Sequence, residues 1–203
     1  MMRKNLQAIL LIFISATFLL GQKTFESKKF DFSMQEPKDW IIIEKSELIK
    51  NLEKLDFTEA ELEQLIKNSK GSIPIIVYVK YDHTKKAGLI PKIQIDVRAN
   101  NTKNFPQFKA ALTQFTQSLK EVFEGFEFIQ EPKEIEVSGI KSVMFIGRFA
   151  IKTQKGEELK VRSRVLAVPY KNYFFQVNLI DGQIEEDNAE LFDKIIKTIK
   201  IGN

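Results

Sequence analysis

Apolar residues along the chain follow two periodicities, and the switches between them mark the elements. Phe30 and Phe32 alternate with Asp31 and Ser33, which predicts a first short strand, and Pro37 and Trp40 frame a turn into a second at Ile41-Ile42-Ile43. Leu48, Ile49, Leu52 and Leu55 then recur at helical spacing. Thr58 with Glu61 three residues on is a capping box, and Phe57 and Leu62 hold the two positions of a hydrophobic staple. A second helix therefore starts at Thr58, continues through Leu65 and Ile66 and ends near Gly71. The run from Ile73 to Tyr81 is β-branched or aromatic on both faces, which predicts a central strand covered on both sides. After the polar loop Asp82 to Gly88, Ile93, Ile95 and Val97 alternate with Lys92, Gln94, Asp96 and Arg98, the pattern of a strand with one wet face nearer the edge.

Helical spacing returns at Phe108, Ala111, Leu112, Phe115, Leu119, Val122 and Phe123, one stripe of a long amphipathic helix that begins near Pro106 and is stopped by Gly125. The remainder reads mostly as β. Short strands are predicted at 126–130 and 134–137, a turn at Ser138-Gly139, and long strands at 140–153, 157–168 and 173–180. A closing helix carries Leu191, Phe192, Ile195, Ile196 and Ile199 on one face.

The hairpin after Thr153 can be registered from its pattern, because residues opposed across an antiparallel pair share a face. Pairing Thr153 with Glu157 sets Ile151 opposite Leu159 and Phe149 opposite Val161, and leaves Gln154-Lys155-Gly156 as a three-residue loop with glycine in its left-handed position. On the other face Lys152 then meets Glu158, Ala150 meets Lys160 and Arg148 meets Arg162. Strands that outnumber helices and join by short turns, with the helices arriving in blocks, predict an α+β fold. The expected architecture is an antiparallel β-sheet with helices packed on both faces, an α/β/α sandwich, and not a doubly wound parallel sheet.

The N-terminus changes which residues belong to that fold. Arg3 and Lys4 precede an apolar stretch from Ala8 to Leu20, closed by Gly21-Gln22, the three-part pattern of a secretory signal peptide over residues 1–22. The stretch is shorter than the ~20 apolar residues a spanning helix needs. Cleavage is expected beside Gly21 or Gln22, leaving a single domain over 23–203 that is periplasmic or extracellular. With no cysteine in the chain there is no site for a lipoprotein anchor and no disulfide, so stability must come from core burial. A hydrophobic fraction of 43% with 29% charged residues is ordinary for a globular chain. The formal net charge is +4, and two of the cations lie in the leader, so the remainder is nearly balanced. Nucleic acid is not an expected partner, and no stable membrane insertion is expected after cleavage.

The chain resembles the PsbP-like family, whose α/β/α sandwich is shared with the nuclear-transport factor that binds the GTPase Ran. The resemblance is carried by Phe30-Asp31-Phe32-Ser33 leading into Pro37-Lys38-Asp39-Trp40, by the Gly139 turn before a long hairpin, by Tyr173-Phe174-Phe175 and by the closing helix Phe192-Asp193-Lys194-Ile195-Ile196. It spans nearly all of the chain after the leader and is one of order and spacing. Two features depart from it: Asp39 stands where a glycine usually precedes the tryptophan, and the insert 46–70 is long. The resemblance implies the sandwich and an accessory or binding role, and no catalytic residues.

The candidate chemistry is sparse. His83 is the one histidine, in Asp82-His83-Thr84, and neither a metal set nor a catalytic triad can be assembled around it. Nucleophile-elbow, P-loop and dinucleotide fingerprints do not occur. No cofactor, metal site or catalytic residue is expected. Trp40, after Pro37 at the start of a strand, reads as a core or corner residue before a ligand-stacking one. The unusual local feature is Lys160, Arg162 and Arg164 at alternate positions of one strand with Arg148 opposite Arg162, a face suited either to an anionic partner or to acidic residues packed on it. The expected function is an exported, non-enzymatic accessory or binding module acting through an unidentified protein or envelope component. A carrier of an apolar or amphipathic small ligand between the sheet and the helix 106–125 is the alternative, and a hydrolase using Asp82-His83 the distant one. An unfilled space under that helix separates the carrier from the module.

Overall fold

The computed structural model describes residues 23–43, 58–153 and 155–202. The expected signal peptide, the helix read from Leu48 to Leu55 and the staple residue Phe57 lie outside the described residues. In chain order the elements are β1 (Thr24–Ser27), β2 (Phe32–Gln35), β3 (Ile41–Ile43), α1 (Glu59–Asn68), β4 (Ser72–Val79) and β5 (Lys92–Ala99). They continue with α2 (Phe105–Val122), β6 (Glu127–Val137), β7 (Ile140–Lys152), β8 (Glu158–Tyr170), β9 (Tyr173–Gly182), α3 (Ala189–Ile196) and β10 (Lys200–Ile201). Among the described residues seven strands form one sheet in the order β3-β4-β5-β9-β8-β7-β6, and β1, β2 and β10 form a second, smaller one. Every strand pair is antiparallel.

Turn chemistry holds the meander of β6 to β9 in register. Ser138 and Gly139 both take positive φ, 52° and 76°, as a two-residue hairpin requires. The hairpin of β7 and β8 has the register read from its pattern: Ile151 pairs with Leu159, Phe149 with Val161 and Arg148 with Arg162. Gly156 sits at φ 81°, and its N–H donates to the Thr153 carbonyl at 2.9 Å. At α1 both halves of the capping box form: Thr58 Oγ1 accepts from the Glu61 N–H at 3.3 Å, and Glu61 Oε2 accepts from the Thr58 N–H at 2.8 Å.

One face of the large sheet carries the main core. Ile93, Ile95 and Val97 of β5 and Phe175, Val177 and Leu179 of β9 are completely buried there. Leu62 and Ile66 of α1, Phe192 and Ile195 of α3, and Phe25, Phe32, Met34 and Ile201 of the small sheet belong to the same cluster. The opposite face is covered by α2, whose Phe108 packs with Val143 and Ala167 while Leu119 and Phe123 join Phe126, Phe149 and Val161. The result is the α/β/α sandwich with its antiparallel sheet.

Four sequence expectations are corrected. Phe30 to Ser33 is not one strand: a 3-10 turn over Lys28–Phe30 ends at Asp31 with φ 51°, and β2 starts only at Phe32. Both phenylalanines are still buried, at 2% exposure each, so the apolar positions were right and the connection between them was not. The run from Ile73 does not need two covered faces. A β-bulge between Pro74 and Ile76 shifts the register, so that Ile73 opposes Val97 and Ile76 opposes Ile95, and Ile73, Ile75, Ile76 and Tyr78 all join one core. β5 is not near the edge but lies between β4 and β9, with its polar face intact. The two short strands after Gly125 are one strand, β6, broken in register at Phe128/Gln130 and Gln130/Lys133.

Candidate groove between the long helix and the sheet

The loop that aims α2 is fixed by its own polar residues. Asn100 Oδ1 accepts from the Thr102 N–H at 3.1 Å and from its hydroxyl at 2.7 Å. Asn104 caps the helix, accepting from the Gln107 N–H at 3.0 Å, and Pro106 supplies a first turn that lacks a donor without cost. From this start the helix seats Phe108 edge-on against Phe174 of β9, with ring centroids 5.3 Å apart, and further along stacks Phe123 on Phe149 at 4.3 Å.

The buried seam of α2 is narrower than its apolar stripe. Phe108 and Thr116 are buried, with the Thr116 hydroxyl satisfied by the Thr113 carbonyl at 2.8 Å. Phe115 is 48% exposed and Val122 69%. Ala111 and Phe115 overhang a cavity of about 350 Å³ between the helix and strands β5 and β9. Phe108, Leu112 and Phe174 form its apolar wall, and Arg98, Asn100 and Gln176 bring polar groups to it.

Arg98 and Gln176 are the near end of a continuous polar ladder on this face. Arg98 Nη1 donates to Gln176 Oε1 at 3.0 Å, Gln176 Nε2 to Asn178 Oδ1 at 2.8 Å, and Asn178 Nδ2 to Asp96 Oδ2 at 3.0 Å. Gln94 Nε2 donates to both Asp96 oxygens at 2.8 and 3.0 Å, and Lys92 Nζ to Gln94 Oε1 at 3.1 Å. Asp96 is only 5% exposed, and burial pushes its carboxyl above the ordinary carboxylate range against the pull of the Gln94 amide. The described helices leave Gln94, Arg98, Gln176 and Asn178 partly exposed. Sequence reading named a space under this helix as the mark of a carrier but passed over the polar ladder beside it, although two signals pointed to the whole arrangement. The stripe of α2 is too wide for one buried seam, and Gln176 and Asn178 interrupt an otherwise apolar strand opposite Asp96 and Gln94.

The four cations read as an anion-binding face lie on one side of β7 and β8, with Arg148 paired to Arg162 and Ala150 to Lys160. Arg162 donates through Nε and Nη2 to the two oxygens of Asp181, at 2.8 and 2.7 Å, and also pairs with Asp187. Arg164 is 5% exposed, with Nη1 3.5 Å from Asp181 and its guanidinium 5.4 Å from the Phe192 ring centroid. Arg148 bonds Glu127 at 2.6 Å in the open. Lys160 is exposed, and no ion pair to it occurs among the described residues. The carboxylates around Arg162 and Arg164 come from β9 and the turn before α3, not from a helix face.

The remaining candidates lie apart from the groove. The His83 side chain is 85% exposed, and the Asp82 carboxylate beside it is occupied by the Thr84 N–H and hydroxyl at 2.9 and 2.7 Å. Trp40 is partly buried on the main core, edge-on to Phe192 at 6.1 Å. Asp39 before it adopts φ 64°, so it takes the left-handed backbone that glycine favours at this turn. Among the described residues no three His, Cys, Asp or Glu side chains are grouped to hold a metal ion. No described helix is long and apolar enough to cross a membrane.

No family model matches the chain, and no curated protein matches its sequence. Solved structures do match its fold. Cyanobacterial PsbP from Synechocystis superposes with a TM-score of 0.55 at 11% identity, over 90% of this chain and 95% of that one. LpqN of Mycobacterium tuberculosis gives 0.50 at 14% identity, over 90% and 86%. A Bacteroides thetaiotaomicron protein gives 0.49 at 12% identity, and there the chain spans 49% of the other protein's length. The order of strands, the helices on both faces and the superpositions on PsbP and LpqN together assign the chain the PsbP-like fold.

Proposed function

We propose that the chain is an exported, non-enzymatic accessory or binding module that acts through a protein or cell-envelope component. The observation that carries this reading is the half-covered face of the sheet. α2 closes over β6 to β8, while the polar ladder of β5 and β9 stays within reach of solvent, an arrangement suited to recognition. LpqN, which has the same fold, is described as involved in cell envelope biogenesis, and this supports an envelope setting. For an anionic partner the exposed members of the cationic face, Arg148 and Lys160, are the contact residues, and Arg162 and Arg164 stand behind them.

The test is native mass spectrometry of the protein recovered from a producing cell, together with its N-terminal sequence. A mature N-terminus at Gln22 or Lys23 with a co-purifying envelope component supports the proposal; Met1 retained on protein held in the cytosol overturns it. Replacing Arg148 and Lys160 with glutamine should weaken binding of an anionic partner without lowering the melting temperature.

The carrier reading stands second, favoured by the unfilled space under α2. A cavity of about 350 Å³ is within the ~300–1,000 Å³ typical of small-molecule sites, and its wall is largely aromatic and aliphatic.

A further inference from the structure

The groove under α2 has a chemistry more specific than its shape. Arg98 presents five N–H donors in a fixed fork, of which the ladder takes one, through Gln176. No carboxylate makes an ion pair with it among the described residues. Asp96, two residues away on the same face, has both oxygens occupied by the amides of Gln94 and Asn178, so it does not hold the guanidinium directly. Asn100 gives its carbonyl oxygen to Thr102, which leaves its amide N–H groups as donors at the rim. Beside this cationic end the wall is apolar: Phe108, Leu112, Phe115 and Phe174.

We propose that this groove binds the carboxylate head of a single-chain amphiphile, with Arg98 as its anion anchor and the phenylalanine-rich flank of α2 as its tail wall. The inference rests on the carrier reading and adds the charge of the head group and the residue that recognises it. A guanidinium fork matches a carboxylate through two parallel hydrogen bonds, and a partly desolvated setting strengthens them. A single arginine suits one negative charge; a phosphate monoester, with nearly two, calls for more than one cation. A peptide strand is disfavoured because β5 and β9 are both interior, hydrogen-bonded on each side, and offer no free edge for backbone pairing.

The experiment is isothermal titration of the purified native protein with sodium decanoate, decan-1-ol, decyl phosphate and decyltrimethylammonium, repeated on Arg98→Gln, Arg98→Lys and Phe115→Ser. Decanoate is expected to bind at least tenfold more tightly than decanol, with decyltrimethylammonium weakest. Arg98→Gln should abolish the preference for decanoate while leaving decanol affinity unchanged, and Arg98→Lys should keep part of it, so that loss of charge and loss of fold are separated. Phe115→Ser, at a half-exposed position, should weaken decanoate and decanol alike. Equal affinity for decanoate and decanol, or a preference that survives Arg98→Gln, overturns the anion anchor and leaves the carrier reading standing. Tighter binding of decyl phosphate than of decanoate overturns the carboxylate assignment. Absence of binding by all four probes overturns the carrier reading and this inference together.

Discussion

Arg162 holds Asp181 through two parallel hydrogen bonds, at 2.8 and 2.7 Å, and the carboxylate it holds is fully buried. The same carboxylate accepts the Asn188 backbone N–H at 2.7 Å and lies 3.5 Å from Arg164 Nη1. One side chain thus balances two guanidinium groups and positions the residue that opens α3. Asp181→Ala leaves Arg164 buried without its carboxylate partner and Arg162 with Asp187 alone, which costs about 3–5 kcal/mol for a broken buried pair. Urea unfolding should show that loss as a lower midpoint. Arg162→Met should cost less, because Asp181 keeps Arg164 and Asn188.

At Gly156 the loop between β7 and β8 depends on backbone conformation. A Cβ built at Gly156 meets nothing within 4 Å, so any cost of substitution there comes from φ 81°. Gly156→Val should destabilise by about 1 kcal/mol or more, and Gly156→Asn by only a few tenths, since asparagine tolerates the left-handed region. Equal melting temperatures for the two variants would contradict the loop geometry.

Gly147 presents the opposite case, an extended position with no room. A Cβ there would lie 2.6 Å from the Phe126 ring, in the cluster that α2 covers. Gly147→Ala should cost about 1–3 kcal/mol through overpacking. Thermal unfolding would show it, and truncating the ring in the double variant with Phe126→Leu should recover part of the loss.

Glu186 gives the chain a defined acid response. Hydrogen bonds from Lys80 and then Lys86 hold its carboxyl at about 2, well below the ordinary 4.5, with Tyr81 Oη adding a third donor at 3.0 Å. Because the folded value is depressed, the stabilisation is present in full above 4.5 and is lost as the pH falls through about 2. The group is partly exposed, so the effect is modest and should shrink in high salt. Comparing unfolding free energies of the wild type and Glu186→Gln between those two values should show the gap between them closing as acid is added. A constant gap would remove the assignment.

What could be read before any coordinates were known divides along physical lines. Alternation and turn residues act locally, so the register from Arg148 to Arg162, the capping box at Thr58 and the left-handed Gly156 were all legible. Neighbours distant in sequence were not. The pattern Lys92-Gln94-Asp96-Arg98 looked like a solvated edge because nothing local reveals that Gln176 and Asn178 lie beside it on β9. The bulge at Ile75 re-phases an apolar run in a way that composition hides, since each residue in it suits either face. The groove was half-visible, as a helix with more apolar width than a single seam uses. Arg98 could not be separated from the other cations, because what distinguishes it is its place beside the apolar wall of the groove, a property of the folded chain.

The small sheet sets an order of events for a newly made chain. β2 pairs with β1 on one side and with β10 on the other, the Gln35 N–H donates to Thr198 Oγ1 at 3.0 Å, and the Gly202 N–H donates to the Asp31 carbonyl at 3.0 Å. Synthesis proceeds from the N-terminus, so Phe25, Phe32 and Met34 emerge early and must wait for residues 198–202 before their layer can close. Contacts so distant in sequence make closure slow. A ribosome-bound chain therefore keeps an open apolar layer, and β10 acts as the latch that ends this exposed interval.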